Sequence, residues 1–148
     1  MGDISKIRHI NFIGNVSKIR HIELFDTFSI PKNETVISGS ALLVALGYIP
    51  ENADIDILST LEVINKLKTN SSFHIKHCDS YDLLSTFNDE LEIAHKFGFM
   101  NWTYEDIKKD AIEIDGYFFM SLSKLLLFYE TINRKKDEIK ISIIKRLI

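Results

Sequence analysis

The chain has 148 residues, a net charge of −3 at pH 7, 45% hydrophobic and 26% charged side chains, and a single cysteine, Cys78. That balance excludes a disordered chain, and one cysteine excludes an internal disulfide framework. The negative balance disfavours a general nucleic-acid binder, although residues 134–148 carry six Lys/Arg against two Asp/Glu. Its longest apolar stretches, near 41–49 and 116–129, fall short of the roughly 20 residues that a membrane span needs. No signal peptide is apparent, so the reading is a cytoplasmic protein without a membrane partner. A chain of this size suits one domain over 1–148, with helical segments at 1–30 and 121–148.

In chain order, Ile4–Ile10 recurs almost unchanged as Val16–Ile22. Two copies at a spacing of twelve do not make a repeat architecture. The second copy runs into KIRHIELFDTF, whose apolar spacing predicts a helix stopping before Pro31, whereas the first copy fits helix or strand. ETVISGS reads as a short buried strand, and ALLVALG as a helix opened by Ser40 and closed by Gly47. YIPENA is a polar loop. DIDIL alternates charged and apolar residues, which predicts a strand with both aspartates on one face. STLEVINKLKT follows as an amphipathic helix capped by Ser59, with Leu61, Ile64 and Leu67 inward.

SFHIKHC and ELEIA read as strands, YDLLSTF is ambiguous, and TYEDIKKD reads as a short helix. In AIEIDGYFFM two β segments flank Asp115-Gly116, a hairpin signal. SLSKLLLFYETI is a helix burying Leu122, Leu125, Leu126, Tyr129 and Ile132. EIKISIIKRLI is helix or strand, since its dense isoleucines suit either. The order predicts an α/β (α+β) fold with a mixed sheet flanked by helices and a C-terminal helical segment.

The chemistry concentrates between Gly39 and Leu58. A strand that ends in Gly39-Ser40 and enters a helix presents free N–H groups, a hydroxyl and a close backbone approach, all suited to phosphate. Asp54 and Asp56, two apart on a strand, have Cα atoms roughly 6.6 Å apart and project the same way. Paired carboxylates suit a hard cation such as Mg²⁺ shared with substrate phosphates. A phosphate cradle beside paired carboxylates points to metal-assisted phosphoryl or nucleotidyl transfer.

Ile37-Ser38-Gly39-Ser40 followed by Asp54-Ile55-Asp56 resembles the polymerase-beta-like nucleotidyltransferase superfamily. There a third carboxylate comes from a later strand, and Leu91-Glu92-Ile93 fits that pattern. Glu92 is therefore the candidate; Glu90 is a neighbour on the opposite register, and Glu113 and Asp115 are competitors. The segment DGYFFMSLSKLLLFYETINRKKDEIKI is similar to the C-terminal part of small bacterial nucleotidyltransferases of the antibiotic-modifying and abortive-infection toxin type. Ser121-Leu122, Arg134, Lys136 and Asp137 match that pattern. Tyr129 stands where a lysine is usual, Lys140 where a second aspartate is usual, and Ala53 where Ser or Thr is frequent.

The resemblance implies that Asp54, Asp56 and Glu92 are catalytic and hold two Mg²⁺ ions. It implies that Gly39, Ser40, Arg134 and Lys136 bind the nucleoside triphosphate, whose NMP group moves to an acceptor. Small molecules, RNA ends and protein hydroxyls all serve as acceptors in the superfamily. A homodimer or partner protein would complete the cleft of so small a chain. The departures support a second reading, a catalytically degenerate fold that binds a nucleotide or a protein. Elsewhere, His74, His77 and Cys78 have no second cluster to complete a zinc site, and His95, three residues beyond Glu92, reads as a structural or exposed histidine more readily than as a site residue. Trp102, Phe97 and Phe99 fit a core more readily than a base-stacking surface.

Overall fold

The computed structural model describes residues 14–98 and 100–148. The first copy of the near-repeat and Phe99 lie outside them. A seven-stranded mixed sheet runs through the molecule in the order β3-β4-β5-β2-β1-β7-β6. Its strands are β1 (Thr35–Ser38), β2 (Ile55–Ser59), β3 (Phe73–His77), β4 (Asp82–Thr86), β5 (Leu91–Ala94), β6 (Ile112–Ile114) and β7 (Tyr117–Phe119). Six α-helices among the described residues flank it: α1 (Leu24–Thr27), α2 (Ala41–Ala45), α3 (Leu61–Leu67), α4 (Tyr104–Lys108), α5 (Leu122–Ile132) and α6 (Glu138–Leu147). The predicted α+β architecture is therefore the observed one. Among the described residues no helix is long and apolar enough to cross a membrane.

Pairing explains which strands are wholly apolar. β1 lies between β2 (antiparallel) and β7 (parallel), and all four of its residues are buried. β2 and β5 run parallel, and each opens at one residue, Asp56 in β2 and Glu92 in β5. Ile55, Leu84, Leu91, Ile93 and Phe119 are sealed from solvent. Burying each such side chain contributes about 1.5–3 kcal/mol. Two apolar clamps thus fix the strands that carry the acids.

Several local expectations shift. The helix predicted over the second repeat copy shrinks to one turn, α1, preceded by a 3₁₀ turn at Val16–Lys18. His21 has φ +72°, and a left-handed residue interrupts a helix. Ser40 occupies the cap position of α2, but among the described residues its side chain makes no capping bond. Gly47, at φ +85°, ends that segment as predicted, with its N–H donating to Val44. β2 begins one residue later than predicted, leaving Asp54 just ahead of it. Ser59 consequently ends the strand, and Thr60 caps α3 by accepting from the N–H of Val63. Val63, Ile64 and Leu67 form the inward face of α3, while Leu61 is 58% exposed. YDLLSTF resolves as β4, because β3 and β5 each offer it a pairing edge.

The Asp115-Gly116 hairpin forms as read, with both residues at positive φ, as a tight hairpin turn requires. Ser121 caps α5, and Asn133 ends it in the left-handed conformation that asparagine tolerates. A 3₁₀ turn at Lys135–Asp137 leads into α6, which is a helix rather than a strand. Its isoleucines Ile143 and Ile144 bury one face, while Glu138, Ser142, Lys145 and Arg146 stay exposed.

Candidate active site

The site grows from strand register. Ser38 lies opposite Asp56 across the β1–β2 pair, and Asp56 lies opposite Glu92 across the β2–β5 pair. Directly opposed residues share a sheet face, so the three side chains project together. Asp54, two residues before Asp56, joins them from the turn ahead of β2. A carboxylate oxygen from each of Asp54, Asp56 and Glu92 lies within 4.8 Å of the others. Among the described residues this is the one cluster of three or more acidic, histidine or cysteine side chains with that spacing.

Glu90, Glu113 and Asp115 do not compete. Glu90 turns toward His21 and Asn88, and its carbonyl accepts from the N–H of Ile55. Glu113 and Asp115 belong to the β6–β7 hairpin, on the far side of β1 from β5.

The negative charge of Asp54 makes both Asp56 and Glu92 harder to ionise. The Asp56 carboxyl is pushed from 3.8 up to about 7, first by burial, then by Asp54 and Glu92, with Arg134 opposing. Glu92 is also raised, by burial first and then by Asp54 and Asp89, with Lys76 opposing. An all-oxygen donor set that repels itself in this way fits a hard divalent cation, whose charge removes the repulsion.

Beside the acids opens a cavity of about 480 Å³. Gly39, Ser40, Asp54, Asp56, Arg134 and Lys136 all line it, so six of the seven residues singled out from the sequence share one hollow. Gly39 has φ +76°, and a Cβ there would lie 3.6 Å from Oδ2 of Asp56. That contact is an ordinary one, so it is the positive φ that makes a side chain costly at this position. The α2 helix that follows this bend is only five residues long, and among the described residues the Ser40 side chain makes no capping bond to it.

Glu92, the seventh, borders a smaller cavity of about 200 Å³. Ser38 and Asp56 line both hollows and so divide them. Tyr81, Leu83, Phe97 and Lys96 form much of the rest of the smaller one. Phe97 stacks on Phe128 of the larger cavity at 5.3 Å between centroids, and meets Trp102 edge-on. Phe97 and Trp102 are partly buried against the core, and Phe97 also faces the smaller cavity.

Sequence reasoning missed three residues. Arg20 and Lys140 add two more cations to the large cavity. Asn52, 2% exposed, ties its walls together: its Oδ1 accepts from the Arg20 N–H, and its Nδ2 donates to the carbonyls of Arg20 and Asp54. A buried amide with its bonds used in this way locks the turn that presents Asp54. Lys140 stands out in the sequence only as a departure from the aspartate expected there, and no local pattern flags Arg20 or Asn52; a buried asparagine within a polar loop reads as surface until the partner segment is in place.

His95 is structural, donating from Nδ1 to the Ser59 carbonyl and facing Glu105 from Nε2 at 3.2 Å. His77 pairs with Asp82 at 2.7 Å. Tyr129 is buried beneath the cavity, and burial, with Asp137 adding, raises its hydroxyl well above the usual range. It therefore remains a neutral phenol. Comparison with protein-family models, with curated proteins and with solved structures finds no match to this chain.

Proposed function

We propose that the protein is a metal-dependent nucleotidyltransferase that moves an NMP group from an NTP to an acceptor hydroxyl. One observation carries the reading. Two of three convergent carboxylates, Asp54 and Asp56, and a glycine-serine bend border a cavity that Arg20, Arg134, Lys136 and Lys140 also line, and the third, Glu92, faces the adjoining smaller one. A triphosphate is polyanionic, and cations opposite a carboxylate cluster match its two ends: phosphate oxygens toward the lysines and arginines, and a shared cation toward the acids.

In this reading Asp54 and Asp56 hold Mg²⁺, and Glu92 joins them on the side of the smaller cavity. When bound, Mg²⁺ neutralises triphosphate charge and lowers the pKa of a coordinated hydroxyl. Gly39 and Ser40 offer a backbone N–H and a hydroxyl to the β and γ phosphates, and Arg134 and Lys136 hold their outer oxygens. The acceptor enters the smaller cavity. Its hydroxyl oxygen attacks the α-phosphorus, the bond from that phosphorus to the β-bridging oxygen breaks, and pyrophosphate leaves. The raised basicity of Glu92 suits it to take the hydroxyl proton. Catalysis then comes from positioning and charge neutralisation, without a covalent enzyme intermediate.

The test pairs calorimetric titration of the four NTPs in Mg²⁺ with a transfer assay using labelled NTPs and a panel of acceptors. Binding together with transfer that Asp56→Ala abolishes supports the reading. Transfer undiminished in Asp56→Ala refutes the residue assignment. Binding without turnover favours a degenerate nucleotide-binding protein, and no heat with any NTP favours an interaction module.

A further inference from the structure

Asp137 is fully buried, and a carboxylate in that position is costly unless its charge is paired. It occupies the cap position of α6, where aspartate ordinarily accepts from a backbone N–H, yet its side chain makes no capping bond. Its oxygens go elsewhere. Oδ2 accepts from Nε of Arg134 at 2.7 Å, and Oδ1 faces Nζ of Lys140 at 3.5 Å. A bond at Nε fixes the guanidinium plane and leaves the two terminal nitrogens of Arg134 for another ligand. Lys140 is steadied a second time, with its ammonium 5.5 Å from the centroid of the Tyr129 ring. Arg134 and Lys140 both line the large cavity that Gly39 and Ser40 also border.

We propose that Asp137 is a positioning residue: it holds Arg134 and Lys140 as a paired, pre-aimed clamp for the outer phosphates of a polyphosphate ligand. This rests on reading the large cavity as the triphosphate site. The physical gain is entropic. Arginine and lysine lose much rotamer freedom when fixed, and here that loss is taken on folding instead of on binding. Asp137 does not cancel the clamp, since one buried negative charge faces two cations. The lysine belongs to α6 and reaches over Tyr129 of α5, so the cation at this spot comes from a different helix than the residue beneath it.

The probe is inorganic tripolyphosphate with Mg²⁺, titrated calorimetrically into the full chain, so neither acceptor nor transfer is needed. Losing a charged hydrogen bond weakens binding by roughly ten- to a hundredfold, which is the loss expected for Arg134→Gln and for Lys140→Met. Asp137→Asn is expected to weaken binding by about tenfold or more while the cooperative melting transition persists. In the Arg134→Gln/Lys140→Met background, Asp137→Asn should change affinity by less than about twofold, because nothing remains for it to aim. A purely structural role predicts the same loss in both backgrounds, and that result overturns the proposal. So does unchanged affinity in a folded Asp137→Asn protein. Where Asp137→Asn does not fold, Lys140→Met decides: weakened binding supports the clamp and unchanged affinity overturns it. If the coupling is found but no NMP transfer occurs, the clamp stands and the transferase reading fails. If transfer occurs and Lys140→Met binds tripolyphosphate normally, the clamp alone fails. No tripolyphosphate binding by the wild-type protein overturns the clamp and its premise together.

Discussion

Asp56→Asn should stabilise the metal-free protein at neutral pH and above. The Asp56 carboxyl sits at about 7 in the folded protein against 3.8 as its ordinary value. The folded state therefore binds the proton more tightly than the unfolded state does. Between pH 4 and 7 the native protein carries more proton at this site, so stability falls as pH rises through that window. About three pH units at ~1.4 kcal/mol each give roughly 4 kcal/mol as the full cost of ionising Asp56 in place. Relaxation of the neighbouring carboxylates would reduce the measured gain to about 2–4 kcal/mol, or roughly 4–16 °C in melting temperature for a chain of this size. The assay is urea unfolding in EDTA at pH 5 and pH 8, with and without Mg²⁺. Wild-type protein should be less stable at pH 8 than Asp56→Asn and should recover on adding Mg²⁺, while the variant responds little. A variant that is no more stable than wild type in EDTA at pH 8 would refute the argument that crowded, half-buried carboxylates strain the empty site.

Three further outcomes follow from the geometry. Glu92→Gln should retain most Mg²⁺–NTP binding and lose transfer, because Glu92 borders the smaller cavity and not the large one; equal losses in binding and transfer would place it with Asp54 and Asp56. Gly39→Ala forces an alanine to φ +76° and sets a methyl 3.6 Å from the Asp56 carboxylate. A loss of about 1–2 kcal/mol in denaturant unfolding is expected, with weaker NTP binding by calorimetry. Asn52→Ala removes three hydrogen bonds that tie the backbones of Arg20 and Asp54 together. It should cost roughly 2–4 kcal/mol of stability and weaken Mg²⁺ binding by loosening Asp54, both readable from melts with and without the ion.

Wherever a local pattern carries its own cause, it is legible in the chain itself. Alternation about Asp54-Ile55-Asp56 and Leu91-Glu92-Ile93 locates two strands, because the period of two comes from the pleat. Asp115-Gly116 specifies a hairpin, because both turn residues need positive φ, which glycine adopts freely and aspartate tolerates. The acidic trio and the Gly39-Ser40 bend belong to the same class: residue types whose chemistry suggests a site before any contact is drawn. Other features depend on segments meeting. The EIKISIIKRLI tail is helical because α5 gives one of its faces something to pack on, and YDLLSTF is a strand because β3 and β5 flank it. Arg20 and Lys140 lie far from the acids in sequence, and only the folded chain brings them to the same hollow, while Asn52, two residues before Asp54, gains its role only when Arg20 arrives to meet it. The sequence pattern already favours Glu92, but its adjacency to Asp56 comes from strand order, since neighbours in a sheet are set by long-range pairing that no local period encodes.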